Sequence, residues 1–294
     1  GLPYHVGGEI PHEGSLLLHT PETLRASLNL DVRTGHDVTA IDTAAKAVTV
    51  ASTSGVEDLS YDALILAPGA VAIRPPLPGL DSPRVRTLRT VADAVTLKKW
   101  VDDGATRGVV LGAGFIGLEA AEALRHRGLE VDVVELAPHV LPPLEREMAS
   151  VVTTQLRNLG IRVHAGVAAE SVEVGDDEDV VVLADGTRIP TDLVVLSVGV
   201  RPDTAFVETA GIETARGAIV VDDRGRTSAE GVWAAGDAVI STDAVTGVQR
   251  PVPLAGPANR AGRLIADDIF GIPVLDGEAN VRALSAGGFT VRTL

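Results

Sequence analysis

Apolar residues fall into two rhythms along this chain. Nearly continuous Val/Leu/Ile runs occur at 63–67 and 193–197, and further strand-like segments at 108–111, 131–136 and 161–165, with stretches of helical period at 118–127 and 145–159. A run that is apolar at every position fits a strand covered on both faces, because successive side chains point to opposite sides of a sheet. Strands alternating with helices of this length predict parallel βαβ units. The first helix is expected to stop at Gly128 and the second at Gly160, since glycine accepts the left-handed conformation that closes a helix.

The pattern occurs twice. Residues 37–69 read strand, tight turn, strand, and then Tyr61-Asp62-Ala63-Leu64-Ile65-Leu66-Ala67-Pro68-Gly69. Residues 168–199 read strand, turn, strand, and then Thr191-Asp192-Leu193-Val194-Val195-Leu196-Ser197-Val198-Gly199. Each copy ends in an apolar strand (63–67, 193–197) that stops two residues before a glycine. The fold class expected is α/β, with two dinucleotide-binding domains of the Rossmann type, each a parallel sheet plus a β-meander. The second copy is whole: Gly112 opens it and Gly199, 87 residues on, closes it. The same count back from Gly69 lands before residue 1. The first copy's own glycine-rich turn is therefore expected upstream, and this domain is expected to be incomplete and discontinuous. The stretch Val71–Arg86 holds Pro75, Pro76, Pro78 and Pro83; that density rules out helix and reads as a linker. Expected domains are 1–79 with 213–272, then 80–212, with 273–294 as the remnant of a further C-terminal region.

Composition narrows the choice of partners. The 294 residues suit about two domains of ~100–200 residues each. A net charge of −15 with only three lysines argues against nucleic acid or an anionic membrane as partner, since both demand a cationic face. No apolar run approaches the ~18–20 residues of a membrane span. An acidic, cytoplasmic protein is expected. There is no cysteine, so disulfides, thiolate metal sites and cysteine nucleophiles are excluded within this chain, and no metal is expected.

Gly112-Ala113-Gly114-Phe115-Ile116-Gly117 fits G-x-G-x-x-G between an apolar strand and an amphipathic helix, the context this motif requires. Gly112 permits the tight turn, Gly114 lets the backbone approach a diphosphate, and Gly117 lets helix and strand pack closely. The helix N-terminus then faces the phosphates. Glu135 ends the next strand, 23 residues after Gly112. An acid there accepts bonds from ribose hydroxyls and repels a 2′-phosphate, so NADH is expected over NADPH. A second constellation is Val232-Trp233-Ala234-Ala235-Gly236-Asp237. By spacing alone it reads as a Gly-Asp turn, while an acid at a strand end is also placed to hold a ribose or ribitol hydroxyl. The helix entered through Pro253–Arg260 is either an ordinary helix start or a positive end suited to a reduced flavin.

Four motifs in order, Gly1-Leu2-Pro3-Tyr4-His5-Val6-Gly7-Gly8, Tyr61–Gly69, Gly112–Glu119 and Thr227–Ala238, resemble the FAD-dependent pyridine nucleotide–disulfide oxidoreductases over about residues 1–272. The opening is most similar to the branch of coenzyme A disulfide reductases, CoA persulfide reductases and NADH oxidases. The resemblance implies FAD and NAD(P)H as cofactors. It implies that Asp237 bonds the FAD ribitol, that the helix containing Ala258 lies under the flavin, and that Val38 meets the FAD adenine through its backbone. It makes Phe115 an aromatic gate over the flavin, Glu119 the acid at the flavin–nicotinamide junction and Gly199 a backbone contact to NAD. Ile116, Ala67, Gly69 and Gly236 join the cofactor-binding set. In this branch a redox cysteine directly precedes the Gly-Leu-Pro-Tyr; here that glycine is residue 1. The activity implied is hydride transfer from NADH to FAD and on to a disulfide or persulfide such as CoA disulfide, in a homodimer. Alternatives are an NADH oxidase, a ferredoxin or rubredoxin reductase, and an inactive NADH-binding fragment.

Overall fold

The computed structural model describes residues 1–243 and 246–272; the remnant expected at 273–294 lies outside them. The chain divides into two compact units. One comprises Gly1–Thr20 and Ala72–Val200, and the other Pro21–Val71 with the described residues from Arg201 onward.

The first unit is built on a five-stranded, wholly parallel sheet in the order Val85–Thr87, Leu193–Leu196, Arg107–Leu111, Glu130–Glu135, Arg162–Ala165. Arg107–Leu111 is central: the chain steps outward from it to Glu130–Glu135 and Arg162–Ala165, and Leu193–Leu196 later fills the place on its other side. The central strands are mostly apolar because both faces are covered. Val110, Val131, Val133, Leu193 and Val195 pack under helices Val91–Asp102, Phe115–His126 and Arg146–Asn158. Val109, Leu111, Val134, Val194 and Leu196 pack under the antiparallel meander Ala169–Glu173, Asp179–Leu183, Arg188–Thr191. Each fully buried aliphatic side chain contributes about 1.5–3 kcal/mol, so this sheet is the stable platform of the unit.

Polar groups fix the platform's edges. The Asp192 carboxylate accepts from the Thr106 amide at 2.8 Å, the Thr106 hydroxyl at 2.9 Å, and the Arg107 amide and guanidinium at 2.9 and 2.8 Å. Burial pushes its pKa up, but these donors outweigh burial and hold it at about 2. They also pin the entry of the last strand to the entry of the central one. Asp132, buried in the second strand, accepts from both Arg162 and His164. Helix Val91–Asp102 opens on a reciprocal capping box between Thr90 and Asp93, which satisfies amides that a helix start leaves unpaired. Sequence reasoning passed over this helix, although Thr-x-x-Asp ahead of an apolar run is its signature. Also unforeseen is the helix Leu2–Gly7, which packs on the Val91–Asp102 and Phe115–His126 helices through buried Val6.

The second unit contains the meander His36–Asp42, Ala47–Ser52, Gly55–Ser60, with an irregular register between Val38 and Ala40. Strand Leu64–Leu66 pairs in parallel with Val232–Ala234 alone among the described strands. A four-stranded sheet, Thr214–Ala215, Ala218–Val220, Val239–Thr242, Gln249–Pro251, lies beside helix Ala255–Ile269 in the same unit. The helix is anchored by Asp268, which accepts from Arg226, Arg224 and the Trp233 indole. The Arg226 guanidinium, with the indole and Arg224, holds that carboxyl at about 2 against burial.

Helix and strand boundaries match the sequence expectations within a few residues, with one instructive difference. The helix expected from Leu118 begins at Phe115, directly after Gly114 as its N-cap.

Candidate functional site

The topological break of the first unit lies between Leu193–Leu196 and Arg107–Leu111: the chain steps from Arg107–Leu111 to one side of the sheet, and Leu193–Leu196 is added on the other side after the meander. Beyond the C-terminal ends of such strands a parallel sheet opens a crevice. Here it is a cavity of about 540 Å³, lined among others by Gly112, Gly114, Glu135, Leu136, Pro142 and Gly199. The structure thus brings together four of the residues singled out in the sequence.

The three glycines of the turn have different reasons to be glycine. Gly112 adopts φ +100°, and a Cβ there would stand 2.3 Å from the Ser197 carbonyl oxygen. At Gly117 a Cβ would stand 2.0 Å from the Gly112 carbonyl oxygen. Both are demanded by the protein's own packing. Gly114 has φ −75°, which any residue adopts, and a Cβ there would meet nothing within 4 Å. Nothing in the chain requires its smallness; the space it leaves lies in the crevice. The helix starting at Phe115 has no side-chain cap, so its first amides point out of the helix without internal partners, with the positive end of the helix dipole behind them.

Glu135 stands at the mouth of this turn. One carboxylate oxygen accepts from the Ala113 amide at 2.7 Å and the other from the Ala137 amide at 2.8 Å. A carboxylate offers about four lone-pair sites, so two backbone donors leave capacity for hydroxyls. Leu136, the next residue, is exposed. Leu141 returns toward the turn, donating its amide to the Ala113 carbonyl at 2.8 Å from a left-handed backbone, φ +48°. That conformation is costly for a residue with a side chain and persists where its surroundings enforce it.

Phe115 is 63% exposed at the helix start, which rules out a role as a core residue of its own unit. Ile116 and Glu119 are also exposed, and Glu119 lies one turn along the same helix face as Phe115. The proline-rich stretch does more than link: Ile73, Pro75, Leu77 and Leu80 form one wall of the crevice.

In the second unit, Gly236 and Ala258 line a common cavity of about 120 Å³ with Asp222, Ser241 and Pro257. Gly236 sits at φ +84°, opening a short 3₁₀ turn that carries Asp237. The helix Ala255–Ile269 has no side-chain cap at its start. Val38, Ala67 and Gly69 belong to this unit and do not line that cavity. No helix among the described residues is long and apolar enough to cross a membrane.

Residues 3–262 match the model of the pyridine nucleotide-disulphide oxidoreductase family. The chain belongs to that family. It is 34% identical over 98% of its length to an NADH oxidase of Methanocaldococcus jannaschii, covering 66% of that protein. It resembles the structure of an NAD-dependent persulfide reductase from A. fulgidus with a TM-score of 0.90 and 37% identity, covering 94% of this chain and 52% of that one. It also resembles the water-forming NADH oxidase of Lactobacillus brevis bound to NADH, with a TM-score of 0.87 and 30% identity over 93% of this chain and 61% of that one. An engineered form of that oxidase, described as an NADPH oxidase and bound to NADPH, matches with the same TM-score and identity over 94% of this chain and 61% of that one. The engineered form carries five substitutions: a glycine to alanine, an aspartate eighteen residues later to alanine, the next two residues to arginine and serine, and a proline seven residues after the aspartate to arginine. The chain thus spans between about half and two thirds of the length of these relatives.

Proposed function

We propose that this chain binds NADH in the crevice of its first unit and FAD through its second, and serves a flavin-dependent oxidoreductase that passes electrons to a disulfide or persulfide. One observation carries the nucleotide reading: the open space at Gly114, between an uncapped helix start and the Glu135 carboxylate, in one cavity. The helix start and the turn amides bind the diphosphate, and Glu135 accepts the adenosine ribose hydroxyls.

Preference for NADH rests on charge. A 2′-phosphate beside Glu135 sets two anions together, and no arginine follows in Leu136-Ala137-Pro138-His139. The engineered relative supports this. Gly117, Glu135, Leu136, Ala137 and Pro142 of this chain have the same spacing as its five substituted positions. The form that accepts NADPH has lost the acid and gained arginine.

FAD, when bound, supplies the two-electron relay between nicotinamide and acceptor. Asp237 would hold the ribitol, the start of helix Ala255–Ile269 with Ala258 would face the flavin, and Val38, Ala67, Gly69 and Gly236 would offer backbone. Two features fit such a group, the uncapped helix start and the small cavity shared by Gly236 and Ala258. Phe115, exposed beside the turn, would shield the reaction site until nicotinamide displaces it, and Glu119 one turn on would position the nicotinamide. The A. fulgidus persulfide reductase favours a sulfur acceptor; the oxidases of M. jannaschii and L. brevis favour oxygen as the second reading.

Equilibrium titration of the purified chain tests the nucleotide reading. NADH is expected to bind at least about tenfold more tightly than NADPH, the effect of roughly 1.4 kcal/mol of charge discrimination. Equal or tighter binding of NADPH overturns the assignment of Glu135. For the acceptor, NADH consumption by the full-length protein is expected with CoA disulfide or a persulfide in the absence of oxygen; consumption with oxygen alone selects the oxidase reading.

A further inference from the structure

Glu135 is bonded in a way that ribose recognition does not need. Both of its oxygens are engaged by backbone amides of the protein, Ala113 in the glycine turn and Ala137 in the loop that follows its own strand. The same loop then reaches back, and the Leu141 amide bonds the Ala113 carbonyl. Ala113 is therefore held on both sides, its N–H by Glu135 and its C=O by Leu141. The loop itself is tied down: Gly166 donates to the Ala137 carbonyl at 2.8 Å, and Val167 donates to the Glu135 carbonyl at 3.2 Å. The Gly112 amide is held by the Val134 carbonyl at 2.8 Å. Every one of these bonds lies within the first unit, and together they lace the turn to the segment Glu135–Leu141.

The arrangement carries a local cost. Leu141 is buried at a positive φ, and a carboxylate at the rim of a cavity gives up water to bind two neutral amides. Strained or committed groups of this kind collect where a site is set before its ligand arrives. Hydrogen bonds to a charged acceptor are about twice as strong as neutral ones, so the Glu135 pair is a strong tie for so short a loop.

We propose that Glu135 and Leu141 are positioning residues that brace the glycine turn in its diphosphate-binding shape before any nucleotide is present. The proposal rests on the nucleotide reading above for its purpose, but the brace itself is a property of the free protein. It has a consequence for cofactor choice. Removing the acid does not merely lift a repulsion against a 2′-phosphate; it also loosens the turn that both nucleotides share. A lone Glu135→Ala exchange therefore weakens NADH without a matching gain for NADPH, and a switch requires changes that rebuild the turn as well.

Amide hydrogen exchange on the nucleotide-free protein tests this directly. In Glu135→Ala the amides of Ala113 and Ala137 are expected to exchange at least about tenfold faster than in the parent, while those of Val110 and Val133 in the adjoining strands keep their rates. Glu135→Gln, which retains one acceptor oxygen, is expected to restore protection at one of the two amides and part of the NADH affinity. It also serves if the alanine variant folds poorly. Rates at Ala113 and Ala137 within twofold of the parent in both variants would overturn the brace, even where NADH affinity falls. Acceleration spread evenly through the strand amides would overturn it too, since that is global loosening. A parent protein that binds neither nucleotide would instead sink the functional reading and leave the exchange result to judge the brace.

Discussion

The two copies of the repeat carry nearly the same apolar strand and give it different surroundings. Val195 in Leu193–Leu196 is 1% exposed, flanked by parallel strands on both sides and covered on both faces. Its counterpart Ile65 in Leu64–Leu66 is 46% exposed, and its strand pairs only with Val232–Ala234 among the described residues. The local pattern dictates a strand in both cases. Burial depends on which neighbours the sheet supplies, and that is a tertiary property. The well-defined crevice belongs to the unit whose sheet has five strands, because a crevice at strand ends needs a strand on each side of the break.

Substitutions at matched positions break or sharpen this contrast. The largest effect is expected at Gly112→Ala. Its Cβ collides with the Ser197 carbonyl and its φ is left-handed, so a loss of more than about 2 kcal/mol in stability is expected together with NADH binding, read by thermal unfolding and titration. Next comes the strand pair. Val195→Ala should cost about 2 kcal/mol, from lost transfer energy plus an unfilled cavity, and Ile65→Ala under about 1 kcal/mol, because its side chain already meets water. Equal costs measured by denaturant unfolding would show that the two strands are equally buried in solution.

The smallest effect concerns pH. Asp192 in the first unit and Asp268 in the second are both held at about 2 in the folded state against an ordinary 3.8. A depressed folded pKa stabilises above the ordinary value and is lost as pH falls through the folded one. Both units should therefore lose stability between about pH 4 and pH 2. Asp192→Asn should flatten that dependence for the first unit alone, and an unchanged acid profile would assign the acid loss to other carboxylates.

Much of the first unit was legible in its sequence, because each level agreed: continuous apolar runs, helical spacing and glycines where the chain must turn. Glu135 was found by its distance from Gly112 and stands at the turn it was matched to. The crevice wall at Ile73–Leu80 was not legible, because prolines announce only the absence of helix and say nothing of what the extended chain packs against. The helix Leu2–Gly7 was missed because six residues with little periodicity carry no signal of their own; it is held by neighbours distant in sequence. The brace on Ala113 was also beyond reach, since it consists of backbone bonds across a loop whose left-handed Leu141 has no sequence signature. In the second unit the strand segments were legible.

Gly114→Ala addresses the central claim with the least disturbance, since its methyl group meets no protein atom within 4 Å at a φ that alanine adopts freely. Thermal stability and NADH affinity should be measured on the same sample. The account predicts a melting temperature equal to or slightly above the parent's, with NADH affinity reduced at least about tenfold. NADH bound as tightly as by the parent would show that the space at Gly114 is not where the diphosphate lies.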